Sequence, residues 1–359
     1  MKRSLSTAAL LACSAILLAA GCGEETASTR APVDPATATP VVTPPQPTAS
    51  LRNDGPGTDE WTTLPVMPGG ARQETGVVSV GGELWVLGGI DAAGGTLARV
   101  EIYDPRKGQW RRGPDLPLPM HHANVAVLDG IVYVAGFLTG LSFSAHGTVF
   151  ALAPSGTWEP RRSMPEGTQR GASGVTVVDG KLYVAGGFRG SAVNDFSAYA
   201  PATDRWTALA DLPVAADHLV AEVIDGIVYA AGGRGGVIVA HRPRLDAYDP
   251  ATGLWSARAP MPTSRAGAAA AVLDGRLYVF GGEGNGAVAT GVFSETESYN
   301  PAEDRWSTHP PMRTPRHGTG AAAVGRTIYV PGGAEIEGFG AVAVTEAFTP
   351  RTVAAGPVE

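Results

Sequence analysis

The chain has 359 residues, of which 48 are glycine and 29 are proline, and its formal net charge at pH 7 is −7. This composition favours short strands joined by turns over long helices. An acidic chain with dispersed arginines offers no electrostatic footprint for nucleic acid, so nucleic-acid binding is excluded. The two cysteines, Cys13 and Cys22, both precede residue 23, so the rest of the chain can hold neither a disulfide nor a cysteine-ligated metal.

The N-terminus has the pattern of an export signal. Residues 1–3 (MKR) give a positive start, and the apolar run over residues 8–20 is too short to span a bilayer as a helix. The run ends in LAAGC at residues 18–22, which resembles the lipobox of bacterial lipoproteins, with Ala19 where leucine is commoner. The resemblance implies cleavage before Cys22 and lipidation of that cysteine. An ordinary secretory signal that is cut nearby is the alternative.

Residues 22–57 consist largely of threonine, proline and alanine. Such a segment has too few large apolar side chains to offset the entropy of ordering, and its prolines favour an extended conformation. We therefore predict a lipoprotein signal peptide over residues 1–21 and a disordered tether over residues 22–57. Because glycine and not aspartate follows Cys22, the lipoprotein resemblance implies lipid anchoring in the cell envelope, at an outer membrane where the cell has one, facing the periplasm or the surface.

A unit of about 49 residues repeats six times after the tether. Most copies contain an Asp-Gly turn, an apolar strand, a glycine pair, an aromatic residue two before a proline, and a tryptophan. The pattern resembles the kelch repeat, which builds β-propellers. The repeat tryptophans are Trp61, Trp110, Trp158, Trp206, Trp255 and Trp306.

The repeats predict an all-β, six-bladed kelch-type propeller over residues 58–350, followed by a short tail at 351–359. Asp-Gly between two apolar runs is typical of a type I′ hairpin turn, which needs positive φ at both positions. No glycine pair precedes Trp61, and no repeat tryptophan follows the last copy. We therefore expect residues 58–64 to form the outer strand of the last blade and close the ring. The aromatic side chains are expected to fill the gaps between blades, with a sugar-stacking platform as the alternative.

One position in the repeat is dominated by arginine. Reading sixteen residues before each glycine pair gives Arg72, Met120, Arg170, Ala216, Arg265 and Arg316. The kelch resemblance implies a function, because arginines at this position grip acidic peptides in animal kelch adaptors, and arginines near the channel hold a carboxylate in kelch-type sialic acid mutarotases. It thus implies a ring of four arginines at the channel mouth that could bind an anionic group. The alternative is that they pair with the backbone or with a neighbouring blade.

The loops that follow the glycine pairs are a second candidate region, expected to be exposed and to carry specificity. Their charged residues are Asp91, Arg189, Arg234, Glu283, Glu335 and Glu337, and we assign Glu283 to the ligand site. His121 and His122 could ligate a metal, but no third ligand is fixed by spacing, so we predict no metal site. No nucleophile or dinucleotide motif is present, so we predict no catalytic residue and no cofactor.

Anchor, tether and propeller together predict a monomeric envelope lipoprotein that acts as a binding scaffold for a protein or glycan partner. The ligand-binding candidates are Arg72, Arg170, Arg265, Arg316 and Glu283. The alternative is a carbohydrate-active enzyme resembling the mutarotases, in which the arginines hold a carboxylate and Glu283 or Glu335 moves a proton.

Overall fold

The structure is a computed structural model that describes residues 59–235 and 240–351, together with the backbone of residues 51–53. All regular secondary structure in these ranges is β-strand. Within the described ranges there is accordingly no apolar helix of membrane-spanning length. The signal peptide, Cys22 and most of the tether and tail lie outside the described residues.

The 29 strands follow one another in a regular pattern of hairpins. The first group comprises β1 (Leu51–Asn53), β2 (Glu60–Leu64), β3 (Arg72–Gln73), β4 (Gly76–Val80), β5 (Glu83–Leu87), β6 (Ile90–Asp91), β7 (Val100–Asp104) and β8 (Gln109–Arg112). The second comprises β9 (Val125–Leu128), β10 (Ile131–Thr139), β11 (Ser144–Leu152), β12 (Trp158–Arg161), β13 (Gly174–Val178), β14 (Lys181–Ala185), β15 (Phe196–Ala200) and β16 (Arg205–Ala208). The third comprises β17 (Val220–Ile224), β18 (Ile227–Ala231), β19 (Leu245–Asp249), β20 (Leu254–Ala257), β21 (Ala269–Leu273), β22 (Arg276–Phe280), β23 (Glu283–Asn285), β24 (Gly291–Val292), β25 (Thr296–Asn300), β26 (Arg305–His309), β27 (Ala322–Val324), β28 (Thr327–Pro331) and β29 (Thr345–Thr349).

Six antiparallel sheets form the blades of a propeller. From the axis outwards, the blades are β4-β5-β7-β8, β9-β10-β11-β12, β13-β14-β15-β16, β17-β18-β19-β20, β21-β22-β25-β26 and β27-β28-β29-β2. The innermost strands contact one another in a closed circle, from β4 through β9, β13, β17, β21 and β27 back to β4. The predicted six-bladed all-β propeller is therefore confirmed.

Strand β2, near the start of the described chain, closes the ring as the sequence predicts. β2 lies antiparallel to β29, with Trp61 opposite Phe348, and forms the outer edge of the sixth blade. Three residues of the predicted tether also have regular structure, because β1 pairs in parallel with β26 on the outer edge of the fifth blade. An outer strand presents unpaired backbone groups that a passing segment can bind.

The turn and glycine signals act as expected. Asp129 and Gly130 have φ of 52° and 76°, and the Asp-Gly pairs at 179–180, 225–226 and 274–275 are similar. The glycine pairs lie where one blade meets the next, since a Cβ on Gly232 would be 2.8 Å from the Arg265 carbonyl oxygen. A larger residue at that position would push the blades apart.

The repeat tryptophans join neighbouring blades. The indole N–H of Trp306 donates to the Ala259 carbonyl over 2.8 Å, and Trp61 donates to Pro310 over 2.9 Å. The other four donate to equivalent carbonyls of the preceding blade. Trp61 also packs edge-on against Phe280 of the fifth blade, with ring centroids 5.5 Å apart. The tryptophans thus fill the gaps between blades and satisfy their N–H groups there.

Candidate functional site

The channel mouth is built from the six connections that lead from an outer strand to the next inner strand. In each connection, the residue two places after the arginine-rich position has left-handed backbone, with φ between 48° and 66°. We call these six residues the axial ring: Glu74, His122, Ala172, His218, Gly267 and Gly318. Large side chains adopt this conformation at a cost, and two blades use glycine there.

The axial ring is closed by its own backbone. The N–H of each member donates to the carbonyl oxygen of the member in the preceding blade, and Glu74 donates to Gly318 across the seam. The six N···O distances lie between 2.5 and 3.0 Å. This circle fixes the positions of the ring residues around the propeller axis.

Three polar side chains of the axial ring converge. His122 Nε2 lies 3.0 Å from Glu74 Oε2 and 2.9 Å from His218 Nε2. One ligand atom from each of the three residues lies within 4.8 Å of the other two. A cavity of about 110 Å³ in the channel is lined by the same residues.

A second layer of polar groups surrounds this trio. His218 Nδ1 donates to Asp217 Oδ1 over 2.6 Å, and Arg234 Nε donates to the same carboxylate over 3.1 Å. Arg234 also pairs with Glu283, whose Oε2 lies 3.4 Å from His317 Nδ1. We call these eight residues the axial cluster: Glu74, His121, His122, Asp217, His218, Arg234, Glu283 and His317.

Burial and neighbouring charges shift the pKa values of Glu74, His121 and His122. Burial alone would raise the pKa of the Glu74 carboxyl, but His122, His218 and His317 outweigh burial and hold it well below its usual range. Burial lowers the pKa of His122 despite the favourable contact with Glu74. Burial, assisted by His122, lowers the pKa of His121 to about 4. The three histidines thus favour the ionised form of Glu74, whereas burial favours the neutral forms of His121 and His122.

The four candidate arginines point into their blades. All four are at most 1% exposed. Arg72, Arg265 and Arg316 pair with Glu101, Glu297 and Glu346 of the same blade, at 2.8, 2.7 and 2.6 Å. Arg170 instead donates to the Ser197 hydroxyl and to the carbonyls of Gly186 and Val184. The geometry favours internal pairing over an open anion-binding ring, because the guanidinium groups are enclosed and already hydrogen-bonded.

The loops after the glycine pairs differ from one another in exposure. Glu335 is exposed, as expected, and Asp91, Arg189, Arg234 and Glu337 are intermediate. Glu283 corrects the expectation of exposure: it is 2% exposed and paired with Arg234, because β23 turns it inward against the Ala266 connection. Glu283 nonetheless lies at the mouth, in the second layer of the axial cluster.

Glu74, Asp217 and His317 are cluster members that the sequence pattern did not identify. The repeat register could have indicated the trio, because Glu74, His122 and His218 occupy the same position in three repeats. His122 lies 48 residues after Glu74, and His218 lies 96 residues after His122. A propeller brings equivalent positions of all blades to one axis, so residues far apart in the chain converge.

The rim of the mouth carries exposed apolar side chains. Leu141, Val288, Ile336 and Phe339 are 62, 47, 47 and 48% exposed, and all four lie in loops after the glycine pairs. We call these four residues the mouth rim. The loops of the fifth and sixth blades are joined by a hydrogen bond from the Glu337 N–H to the Thr290 carbonyl. The side chain of Gln73 in the first blade holds the loop of the sixth blade. Its Nε2 donates to the Gly338 carbonyl, and its Oε1 accepts a hydrogen bond from the Gly340 N–H.

The chain is a six-bladed β-propeller whose channel mouth carries a cluster of polar side chains. The Kelch motif model matches residues 71–117, 169–213, 218–262 and 264–313, which together exceed half of the chain. The chain therefore belongs to the kelch-repeat family.

Relatives support the same assignment. Kelch-like protein terF of Aspergillus terreus is 32% identical over 322 residues, which cover 83% of this chain and 70% of that protein. Kelch-like protein 34 of Homo sapiens is 32% identical over 171 residues, which cover 46% of this chain but only 26% of that protein. The solved structure of YjhT superposes with a TM-score of 0.67 at 16% identity, covering 79% of this chain and 95% of that one. This last similarity is one of fold.

Proposed function

We propose that this protein is a membrane-tethered binding module that holds a protein partner on the mouth face of its propeller. The kelch propeller scaffold fits a protein-binding role. The observation that supports this face is the mouth rim, whose four apolar side chains surround a polar centre. Exposed apolar groups bordered by polar residues are typical of protein interaction sites.

The chemistry of the rim favours a protein over a glycan. Leucine, valine and isoleucine offer no hydrogen bonds to sugar hydroxyls. The sixth-blade loop is held in place by the hydrogen bond from the Glu337 N–H to the Thr290 carbonyl and by two hydrogen bonds with the side-chain amide of Gln73. A pre-formed apolar surface loses little entropy when it binds. The enzyme alternative depended on arginines free to hold a carboxylate, and those arginines are buried.

A photo-crosslinker placed on the mouth rim should capture a partner. We expect p-benzoylphenylalanine at Phe339 to give one dominant protein adduct in the producing cells, because this side chain is 48% exposed at the proposed interface. Leu254 is the matched control, since it is 67% exposed at the opposite end of its blade. Mass spectrometry would identify the adducts. Equal labelling from both positions, or no adduct at Phe339, would contradict the proposal.

The tether hypothesis has its own test. Changing Cys22 to serine removes the acylation site that the lipobox pattern predicts, and each buried acyl methylene contributes about 0.8 kcal/mol to membrane binding. We expect the variant to move from the membrane fraction to the soluble fraction on ultracentrifugation. Cys13→Ser is the control, because Cys13 lies in the apolar run of the predicted signal peptide. A Cys22→Ser protein that stays with the membranes would rule out lipid anchoring.

A further inference from the structure

We propose that Glu74, His122 and His218 form a binding site for one divalent first-row transition metal ion on the propeller axis. The site goes beyond the proposed partner binding and does not depend on it. It uses three members of the axial ring, whose positions are fixed by the circle of backbone hydrogen bonds.

Hydrogen bonding orients a lone pair of His122 towards the axis. The Gly140 carbonyl can only accept, so His121 Nε2, at 3.0 Å, carries the proton that it donates. In neutral His121 the Nδ1 atom must then accept, and His122 Nδ1, at 2.5 Å, is its donor. Neutral His122 is therefore unprotonated at Nε2, the atom that faces Glu74 and His218.

The same argument applies to His218. Its Nδ1 donates to the Asp217 carboxylate over 2.6 Å, which leaves a lone pair on Nε2 in the neutral ring. The Arg234 N–H that approaches Nε2 at 3.3 Å also requires an acceptor there. A histidine whose far nitrogen donates to a carboxylate is the usual arrangement around a protein-bound metal.

In the neutral tautomers that these hydrogen bonds select, two imidazole lone pairs and a carboxylate oxygen face one another. Electron-rich atoms 2.9 and 3.0 Å apart repel unless a cation bridges them. Metal–ligand bonds of about 2.0–2.2 Å place neighbouring ligand atoms about 3 Å apart when they meet near a right angle. The separations from His122 Nε2 to Glu74 Oε2 and to His218 Nε2 match that geometry, and the third pair of ligand atoms lies within 4.8 Å.

The surrounding charge also favours a divalent cation. The axial cluster holds three carboxylates, those of Glu74, Asp217 and Glu283, against the single guanidinium of Arg234.

His317 is a further sign of an incomplete site. It is 1% exposed, and its Nε2 donates to the Ile336 carbonyl over 3.0 Å. Its Nδ1 has no hydrogen-bond partner among the described residues and lies 3.4 Å from Glu283 Oε2 and 3.8 Å from Glu74 Oε1. An unpartnered buried nitrogen directed at the trio is costly unless a ligand completes its surroundings.

Backbone strain accompanies the three polar side chains, and Ala172 of the third blade shares it with φ of 52°. Glu74, His122 and His218 have φ of 54°, 48° and 54°, whereas Gly267 and Gly318 occupy equivalent positions without that strain. Side chains that persist where glycine would fold more easily are typical of functional sites.

The ligand set selects the class of metal. Two imidazoles and one carboxylate suit Zn²⁺, Cu²⁺, Ni²⁺ and Co²⁺, whereas Ca²⁺ and Mg²⁺ require shells of oxygen ligands. Three protein ligands also leave a position for water or for a donor atom from another molecule.

Metal titration of the purified full chain tests the site. After removal of metal with EDTA and desalting, we expect Zn²⁺ to bind with a stoichiometry of one per chain in isothermal titration calorimetry. Co²⁺ should give visible d–d absorption that Zn²⁺ displaces. Protein that remains folded and binds neither ion would overturn the proposal and leave the trio as a hydrogen-bond network.

Variants locate the binding. His218→Gly and Glu74→Gln should abolish the one-to-one binding, and glycine suits the left-handed backbone at position 218 because Gly267 and Gly318 already adopt it. Asp217→Asn should weaken Zn²⁺ binding by about 10–100-fold, since it weakens the hydrogen bond that orients His218 together with the ion pair from Arg234 to the same carboxylate. His309→Gln is the matched control, because His309 pairs with Asp59 away from the mouth. Binding that survives both His218→Gly and Glu74→Gln would place the metal elsewhere and refute this site.

Discussion

Replacing Arg316 by methionine should lower the free energy of unfolding by about 3–5 kcal/mol, the usual cost of breaking a buried ion pair from one side. The Arg316 guanidinium donates hydrogen bonds to the Glu346 carboxylate over 2.6 Å and to the Val330 carbonyl over 2.7 Å. Both side chains of the pair are at most 1% exposed. Methionine fills similar space but leaves the Glu346 charge buried without a partner.

Two further variants make this prediction specific. The double change Arg316→Met with Glu346→Leu should recover most of the loss, because an apolar pair of similar volume often replaces a buried ion pair without penalty. Arg161→Met should cost only about 0–1 kcal/mol, since its pair with Glu159 is 41 and 47% exposed. Equilibrium unfolding in urea measures all three. If Arg316→Met costs no more than Arg161→Met, Arg316 is not a structural residue and an anion site at this position is again open.

Arg170 occupies the arginine position without a carboxylate partner in its blade, and so it can be compared with Arg316. Burial lowers the pKa of Arg170 to about 10, so this arginine stays charged at neutral pH although Ser197 and carbonyl oxygens are its partners. Its removal would leave no unpaired charge, only polar groups that had accepted its hydrogen bonds. The energetic function of the arginine position therefore differs between blades, which a repeat pattern alone does not reveal.

The partners of the arginines were present in the sequence as a second repeat position. Glu101, Glu297 and Glu346 each lie two residues before the repeat aromatic, and Ser197 holds that place opposite Arg170. Where the arginine is replaced by Ala216, the equivalent Asp246 pairs with Arg244 instead. The arginine position was interpreted as one set around the axis. The residue that pairs with each arginine inside its own blade was therefore not predicted.

Architecture was predictable because it depends on short-range signals. Asp-Gly pairs determine hairpins locally, and Trp61, with no glycine pair before it, indicates ring closure. The axial cluster depends on long-range convergence instead: β23 turns Glu283 inward, and the axial ring brings Glu74 to His122 and His218. No spacing along the chain resembles a metal motif, because each ligand comes from a different blade.

The channel below the axial ring is lined mainly by small and β-branched side chains, with one carboxyl group among them. Cavities of about 360 and 170 Å³ are lined by valines and alanines of the inner strands, and Glu222 of β17 lines both. Its side chain is half-buried and lines the channel. Burial raises the pKa of this carboxyl to about 8.

Glu222→Gln should therefore stabilise the protein at pH 8 and leave it nearly unchanged at pH 4. A carboxyl whose pKa is raised on folding holds a proton in the folded state that the unfolded chain releases. Its contribution is intact below the unfolded value of 4.5 and is lost as the pH rises towards 8. Glutamine mimics the neutral acid at every pH, so we expect a gain on the order of 1–3 kcal/mol at pH 8, below the full shift because the channel admits water. Urea unfolding at pH 4, 6 and 8 measures the gain, with the exposed Glu166→Gln as control. A gain that does not grow with pH would mean that Glu222 is ionised in the channel, which would then present a negative charge directly below the axial cluster.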